Sequence, residues 1–377
     1  MSTVAKRGLY TLIFILVVVG VGFLNQVSIM TWLASKGSIK FISTIAEPIL
    51  PTQQVDWASA EPGSGSNSEE LPNIIIILAD DLGWNDISFY GGGLGDGAVQ
   101  TPNIDRIAAE GVHFSNGYAG NATCAPSRAA LLTGRYPTRY GFEFTPGPAS
   151  AMSMMATFDS HREQLHPGYF LEENLSDFPP FEEQGVPTTE ILLPEILASK
   201  DYHSILLGKW HLGESEGYTP NDRGFDEFLG FLAGGAMFAE YDDPTMIKSI
   251  QEFDGIDQFL WPNLTFAVRY NKEQRFKPDE YMTDYLSHQA VRAIEANKDR
   301  PFFMYLSYNA PHTPLHAMKS DYDSLSMIES HTERVYGAMM LSLDRGIGKV
   351  IDAVEAAGIS DNTLIIFSSD NGGADYV

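Results

Sequence analysis

The stretch NIIIILADD, residues 73–81, sets four isoleucines and a leucine in a row and ends in two aspartates. A continuous aliphatic run of this kind is the pattern of a strand buried on both faces, since neither face carries polar side chains for water. Three further short apolar runs share the build. HSILLGKWH (203–211) ends in Lys209 and His211, PFFMYLSYNAPHTP (301–314) carries His312 near its end, and NTLIIFSSDNGG (362–373) runs into Asp370 and Asn371. Between the runs, helical patterns fall at 103–110, 127–133, 192–199, 281–297 and 332–357. Strands alternating with helices predict an α/β fold with a mainly parallel central sheet and helices on both faces. Ligands of such sheets bind outside the carboxyl ends of the strands. A solvated turn explains any one of the four polar endings; four together predict a site.

Bulk composition narrows the chemistry. The 377 residues are 44% hydrophobic, ample for a sizeable core, and carry 24 basic against 49 acidic side chains for a net charge of −25. That balance excludes nucleic acid as a general partner and requires a local positive site for any anionic substrate. Cys124 is the only cysteine, so no internal disulfide forms. It is then an inert buried thiol, a reactive one, or half of an intermolecular bridge.

Lys6 and Arg7 precede an apolar run over 9–24, which Asn25 and Gln26 interrupt before a second run over 27–33. Residues 1–46 therefore read as a signal anchor, with a cleaved signal peptide as the alternative. Either way the bulk of the chain is expected to be exported, membrane-anchored facing away from the cytoplasm, or periplasmic or secreted after cleavage. Residues 47–70, ending in EPGSGSNSEE, read as a flexible linker, and 71–377 as the folded catalytic domain.

Asp80, Asp81, Asp370 and Asn371 offer hard oxygens, which suit Ca²⁺ or Mg²⁺ over zinc. An Asp pair after a strand serves equally well as a turn or cap. Lys209 and His211 lie two apart on an extended segment and so face one side. His312 is held between Pro311 and Pro314; His203, His316 and His331 read as structural. Cys124 stands where a helix through RAALLT begins, a position that stabilises anions, with Arg128 one turn on. A thiolate phosphatase loop would need Arg at position 130, which is Ala130. A small buried thiol explains Cys124 but not the Cys-x-Pro-x-Arg pattern around it.

CAPSRAALLTGRY (124–136) closely resembles the signature of the type I sulfatases, whose cysteine is oxidised after translation to Cα-formylglycine. YHSILLGKWHLG (202–213) resembles the second element of that family, although Asp201 stands where Gly is usual. ILADDLGW (77–84), APHTP (310–314) and SSDNGG (368–373) complete the set in the family's order. The resemblance spans 71–377 and implies an alkaline-phosphatase-like fold and an arylsulfatase-like sulfuric ester hydrolase. It implies that Asp80, Asp81, Asp370, Asn371 and the modified Cys124 hold Ca²⁺, with Mg²⁺ the less expected ion. In that family one hydroxyl of the formylglycine hydrate attacks sulfur as the alcohol leaves, and the second then expels sulfate and regenerates the aldehyde. By the same resemblance Arg128 would steady the hydrate, His211 would be the base, and Lys209 and His312 would contact the sulfate, His312 also protonating or orienting the leaving oxygen. The implied partners are a sulfated small molecule or glycan and a formylglycine-generating enzyme. The rivals are a phosphonate monoester or phosphodiester hydrolase of the same superfamily, and an inactive binder of sulfated ligands.

Residues 145–186 match no motif of the family and are expected to be an insertion shaping the cleft. Asn121, Asn174 and Asn263 open glycosylation sequons. Family members place a further lysine and a small C-terminal subdomain beyond the Asp-Asn pair, whereas Val377 follows Asn371 closely. The expectation is a C-terminally truncated catalytic domain of weak activity, with Asp370 and Asn371 on a fraying tail.

Overall fold

The structure, a computed structural model, describes residues 37–60, 71–149, 151–153, 156, 171, 173, 178–374 and 376. Its strands are β1 (Asn73–Asp80), β2 (His203–Lys209), β3 (Glu227–Phe231), β4 (Met246–Ser249), β5 (Arg269–Tyr270), β6 (Phe302–Pro311), β7 (Leu315–Met318) and β8 (Thr363–Ser369). Six of them form one sheet in the order β5-β3-β2-β6-β1-β8, and β4 pairs with β7 in a small antiparallel sheet. Every pairing in the large sheet is parallel except that of the short edge strand β5. The α/β architecture expected from the alternating runs is the one observed.

The period-two geometry of a strand sends alternate residues to opposite faces, and two separate cores result. The principal helices are α1 (Ser38–Ala46), α2 (Pro102–Glu110), α3 (Cys124–Thr133), α4 (Leu193–Ala198), α5 (Gly255–Asn263), α6 (Met282–Asn297) and α7 (His331–Ala356). Ile75, Ile77, Ile205, Leu207, Met304 and Leu306 pack toward α6 and α7. Ile76, Leu78, Leu206, Phe303 and Tyr305 pack toward Ala125, Ala129 and Leu132 of α3. This is why four isoleucines in succession are needed in β1. Helix α3 starts at Cys124 rather than at Ser127, because Pro126 fits the first turn, where its missing N–H costs nothing.

The linker expectation needs correction over 47–60. Val55 and Trp57 are only 2% and 8% exposed and join the core beside α6. The Trp57 indole N–H donates to Gln289 Oε1 (3.1 Å), and Ala58 N–H donates to Glu227 Oε1 (2.9 Å). Arg269 and Arg275 pair with Glu47 at 2.8 and 3.0 Å, and Arg292 and Arg300 donate to the carbonyls of Val55 (2.7 Å) and Ala58 (2.6 Å). The polar composition of the segment hides two alternating apolar anchors. Trp57→Ala should therefore lower stability by about 3–5 kcal/mol in urea unfolding; an unchanged midpoint and slope would show that the strap is not part of the cooperative unit. Residues 61–70, the apolar runs within 9–33, Asn174 and most of 150–177 lie outside the described residues. Among the described residues no helix is long and apolar enough to cross a membrane.

The expected fraying of the Asp370-Asn371 segment is also not what the structure shows. Strand β8 pairs with β1 from Asn73–Thr363 to Ala79–Ser369, and Asp370 N–H then donates to Ala79 O (3.1 Å). Both Asp370 and Asn371 are buried. On the outward side of β8, Leu364 and Ile366 are 51% and 40% exposed. Of the sequons, Asn263 is buried with its amide donating to Phe259 O (2.8 Å), and Asn121 lies half-buried at the entrance to α3.

Candidate active site

The carboxyl ends of β1, β2, β6 and β8 meet the N-terminus of α3 at one pole. A register shift between Leu78 and Asp80 interrupts the β1–β6 ladder before its last pair, Asp80–Pro311, and Asp81 then adopts the left-handed backbone (φ 58°). Aspartate tolerates that region better than most residues, and the carboxylates of Asp80 and Asp81 still reach one cluster. His211, just past β2, is left-handed as well (φ 62°). The bend at Asp81 is pinned from three sides. Its N–H donates to Asp370 Oδ1 (3.2 Å), Leu82 N–H donates to Ser369 Oγ (3.0 Å), and the Tyr336 hydroxyl donates to Asp81 O (3.2 Å).

Buried charges at this pole are compensated one against another. Lys209 Nζ lies 2.9 and 2.6 Å from the two oxygens of Asp80, and both residues are fully buried. Arg128 contacts Asp370 Oδ2 through Nε and Nη2, each at 2.8 Å, and Asp80 Oδ1 at 3.2 Å. Its remaining nitrogen donates to Ser307 Oγ and to Lys209 O (3.3 Å), while Ser307 Oγ donates to the same carbonyl (2.7 Å). Burial alone raises the Asp80 carboxyl, but Lys209, His312 and Arg128 outweigh it and hold the pKa below the usual carboxylate value.

Cys124 Sγ is 3.9 Å from Asp81 Oδ1, and His312 Nε2 is 3.4 Å from Asp81 Oδ2. Each of Asp80, Asp81, Cys124 and His312 offers a ligand atom within 4.8 Å of the others. Asn371 closes the cluster: its amide nitrogen donates to Asp81 Oδ1, and its buried Oδ1 has no hydrogen-bond partner among the described residues. An orphaned buried amide oxygen on the residue that contacts Asp81, in a cluster that also holds Asp80, suits a hard divalent cation, so the residues present fit Ca²⁺ or Mg²⁺.

The two histidines are driven in opposite directions. Burial, with the nearby cations of Lys209 and Arg128, holds the His211 ring neutral far below its ordinary value, and its Nδ1 has no partner among the described residues. Burial acts on His312 too, but the facing carboxylates of Asp81 and Asp80 overcome it and push the ring up to about 10.

All candidate residues from the strand ends and the cysteine motif thus sit at one pole. His203 pairs with Glu227 (2.7 Å) at the opposite end of the sheet, and His331 contacts Lys248 O (2.9 Å) away from the pole. His316 is buried on β7 against Trp261. A surface groove lined by Pro102, Asn103, Asp344, Arg345 and Lys349 lies between α2 and α7 and contains none of the candidate residues. Sequence reading missed Ser307, although a serine directly after the apolar FFMYL run was a usable signal.

Residues 72–376 match the family model described as Sulfatase. N-acetylgalactosamine-6-sulfatase of Homo sapiens is 32% identical over 313 residues, covering 82% of this chain and 51% of its own length. Arylsulfatase A of Homo sapiens is 31% identical over 312 residues, covering 80% and 52%. The crystal structure of Ps i-CgsB in complex with k-i-k-neocarrahexaose superposes with a TM-score of 0.62 at 35% identity, covering 81% of this chain and 59% of that one. The chain spans about half the length of the curated relatives it matches.

Proposed function

The chain belongs to the sulfatase family, and from that premise we propose that it hydrolyses sulfate monoesters at the pole formed by Asp80, Asp81, Cys124, Arg128, Lys209, His211, His312, Asp370 and Asn371. The observation that carries this reading is the placement of Cys124 at the N-terminus of α3, 3.9 Å from Asp81 and beside the fully buried Lys209 and Arg128. A sulfate ester is a tetrahedral anion, and in a chain of net charge −25 only such a local concentration of cations and helix N–H groups attracts one.

Asp80, Asp81, Asp370 and Asn371 would hold Ca²⁺, which supplies positive charge beside the sulfate oxygens. As Cα-formylglycine, position 124 supplies a hydrate with one hydroxyl to attack sulfur and a second to expel the sulfate. Around it, Lys209 directs its ammonium toward the oxygen cluster, and Arg128 fixes the start of α3 against β8. His211, held neutral by burial and with an Nδ1 that has no partner among the described residues, accepts a proton. His312, whose Nε2 faces Asp81 and the pole, is placed to serve the leaving oxygen, so that the two histidines divide the acid and base roles. Names among the relatives, an N-acetylgalactosamine-6-sulfatase and a neocarrahexaose complex, support a sulfated glycan as the substrate class. The basic flank and apolar run over 6–24 support export with an N-terminal membrane tether.

Co-expression with a formylglycine-generating enzyme should lower the mass of the Cys124 tryptic peptide by about 18 Da, the change from thiol to aldehyde. A peptide that stays unmodified under conditions converting a control sulfatase would count against the reading. The same preparation should turn over an aryl sulfate faster than an aryl phosphonate; the reverse order would favour a phosphonate hydrolase.

A further inference from the structure

One residue outside the motif set, Asp257 of helix α5, reaches Thr313, the neighbour of His312. Asp254 caps that helix, accepting from Ile256 N–H (2.8 Å), and Asp257 lies in the first turn, fully buried. One Asp257 oxygen accepts from Gln251 N–H (2.5 Å), and the other accepts from the Thr313 hydroxyl (2.5 Å). Thr313 in turn receives His312, whose Nδ1 contacts the Thr313 carbonyl. A carbonyl can only accept, so Nδ1 carries a proton, and Nε2 faces Asp81 and the pole. The backbone of the turn is fixed separately, by His312 N–H donating to Asn309 O (3.1 Å).

A buried carboxylate is costly unless its oxygens are hydrogen-bonded, and a plain loop anchor needs only a neutral group. Here the carboxylate accepts from the one hydroxyl adjacent in sequence to the histidine and from the entry to its own helix. We propose that Asp257 and Thr313 are positioning residues: Asp257 holds the Thr313 hydroxyl and so fixes the residue whose carbonyl accepts from His312 Nδ1, which directs the His312 ring toward the leaving oxygen. The proposal rests on the sulfatase reading for what His312 does, but not for how it is held.

The test compares the parent chain with Thr313→Val, Thr313→Ser and Asp257→Asn, on two sulfate esters whose leaving alcohols differ widely in pKa. Thr313→Val keeps the shape and loses the donor. It should lower kcat on the ester of the poor leaving group by roughly 30-fold, and on the activated ester by less than about fivefold, with KM nearly unchanged. Asp257→Asn places an amide N–H against the Gln251 N–H or the Thr313 hydroxyl and should act in the same direction. Thr313→Ser retains the hydroxyl and should stay within about threefold of the parent on both esters. An equal loss on both esters, or a serine variant as impaired as the valine one, would overturn the proposal. A parent inactive on both esters speaks against the sulfatase reading instead, and the link is then read by ¹⁵N NMR of labelled histidines. The His312 Nδ1 resonance, assigned with His312→Gln, should move in Thr313→Val and hold in Thr313→Ser; no movement in either overturns the chain.

Discussion

Arg128→Ala should destabilise the chelator-treated protein by about 3–5 kcal/mol and abolish sulfate-ester turnover. The guanidinium is fully buried and serves Asp370, Asp80, Ser307 and the Lys209 carbonyl at once. Its removal leaves two buried carboxylates with one ammonium between them, and an uncompensated buried charge is the expensive outcome of breaking such a network. Calcium should recover part of the loss, because a divalent cation at Asp80, Asp81 and Asp370 replaces the missing charge and binds only the folded chain. The destabilisation measured by urea unfolding should therefore be larger in chelator than in calcium. Arg128→Lys keeps the charge without the planar fork, so it should fall between parent and alanine variant. An alanine variant as stable as the parent in chelator would show that the pole does not depend on this pairing.

The strand ends were readable because β1, β2, β6 and β8 each carry a dense apolar run stopped by a polar group, and a parallel sheet leaves such stops only one edge to occupy. The five helices at 103–110, 127–133, 192–199, 281–297 and 332–357 were found to within a few residues for a similar reason: each pairs an apolar stripe with a clear start or stop. Strands β3 and β5 gave no comparable signal. β3 has five residues with a glycine among them and β5 has two, and at that length a strand cannot be told from a loop by pattern. The strap over 47–60 was hidden because composition averages Val55 and Trp57 against their polar neighbours. The pairing of Lys209 with Asp80, 129 positions away in sequence, and the Asp257–Thr313 link across 56 have no local signature. Such contacts follow from topology and only become visible once the strands are ordered.

Asp370→Ala should weaken calcium binding by about 100-fold or more, against roughly tenfold for Asn371→Ala, as affinity in oxygen sites follows the charge count of the ligands. The two residues are adjacent, both buried and both at the end of β8, so the comparison holds position nearly constant. Asn371 brings a neutral oxygen, Oδ1, without a partner among the described residues, and its amide nitrogen steadies Asp81. Losing it removes one ligand and loosens another, with no change of charge. Asp370 contributes more than a ligand. Its Oδ1 accepts from Asp81 N–H (3.2 Å) and its Oδ2 holds Arg128 at 2.8 Å. Without it the pole loses a negative charge, and the freed guanidinium turns wholly toward Asp80, where it competes with the cation. Asp370→Asn separates these effects, since it preserves the shape and removes the charge; it should account for most of the alanine variant's loss. Isothermal titration of the chelator-stripped chain with calcium measures all three. Equal weakening by Asp370→Ala and Asn371→Ala would mean that charge does not govern the site, and stoichiometric zinc retained through purification would replace calcium in the assignment.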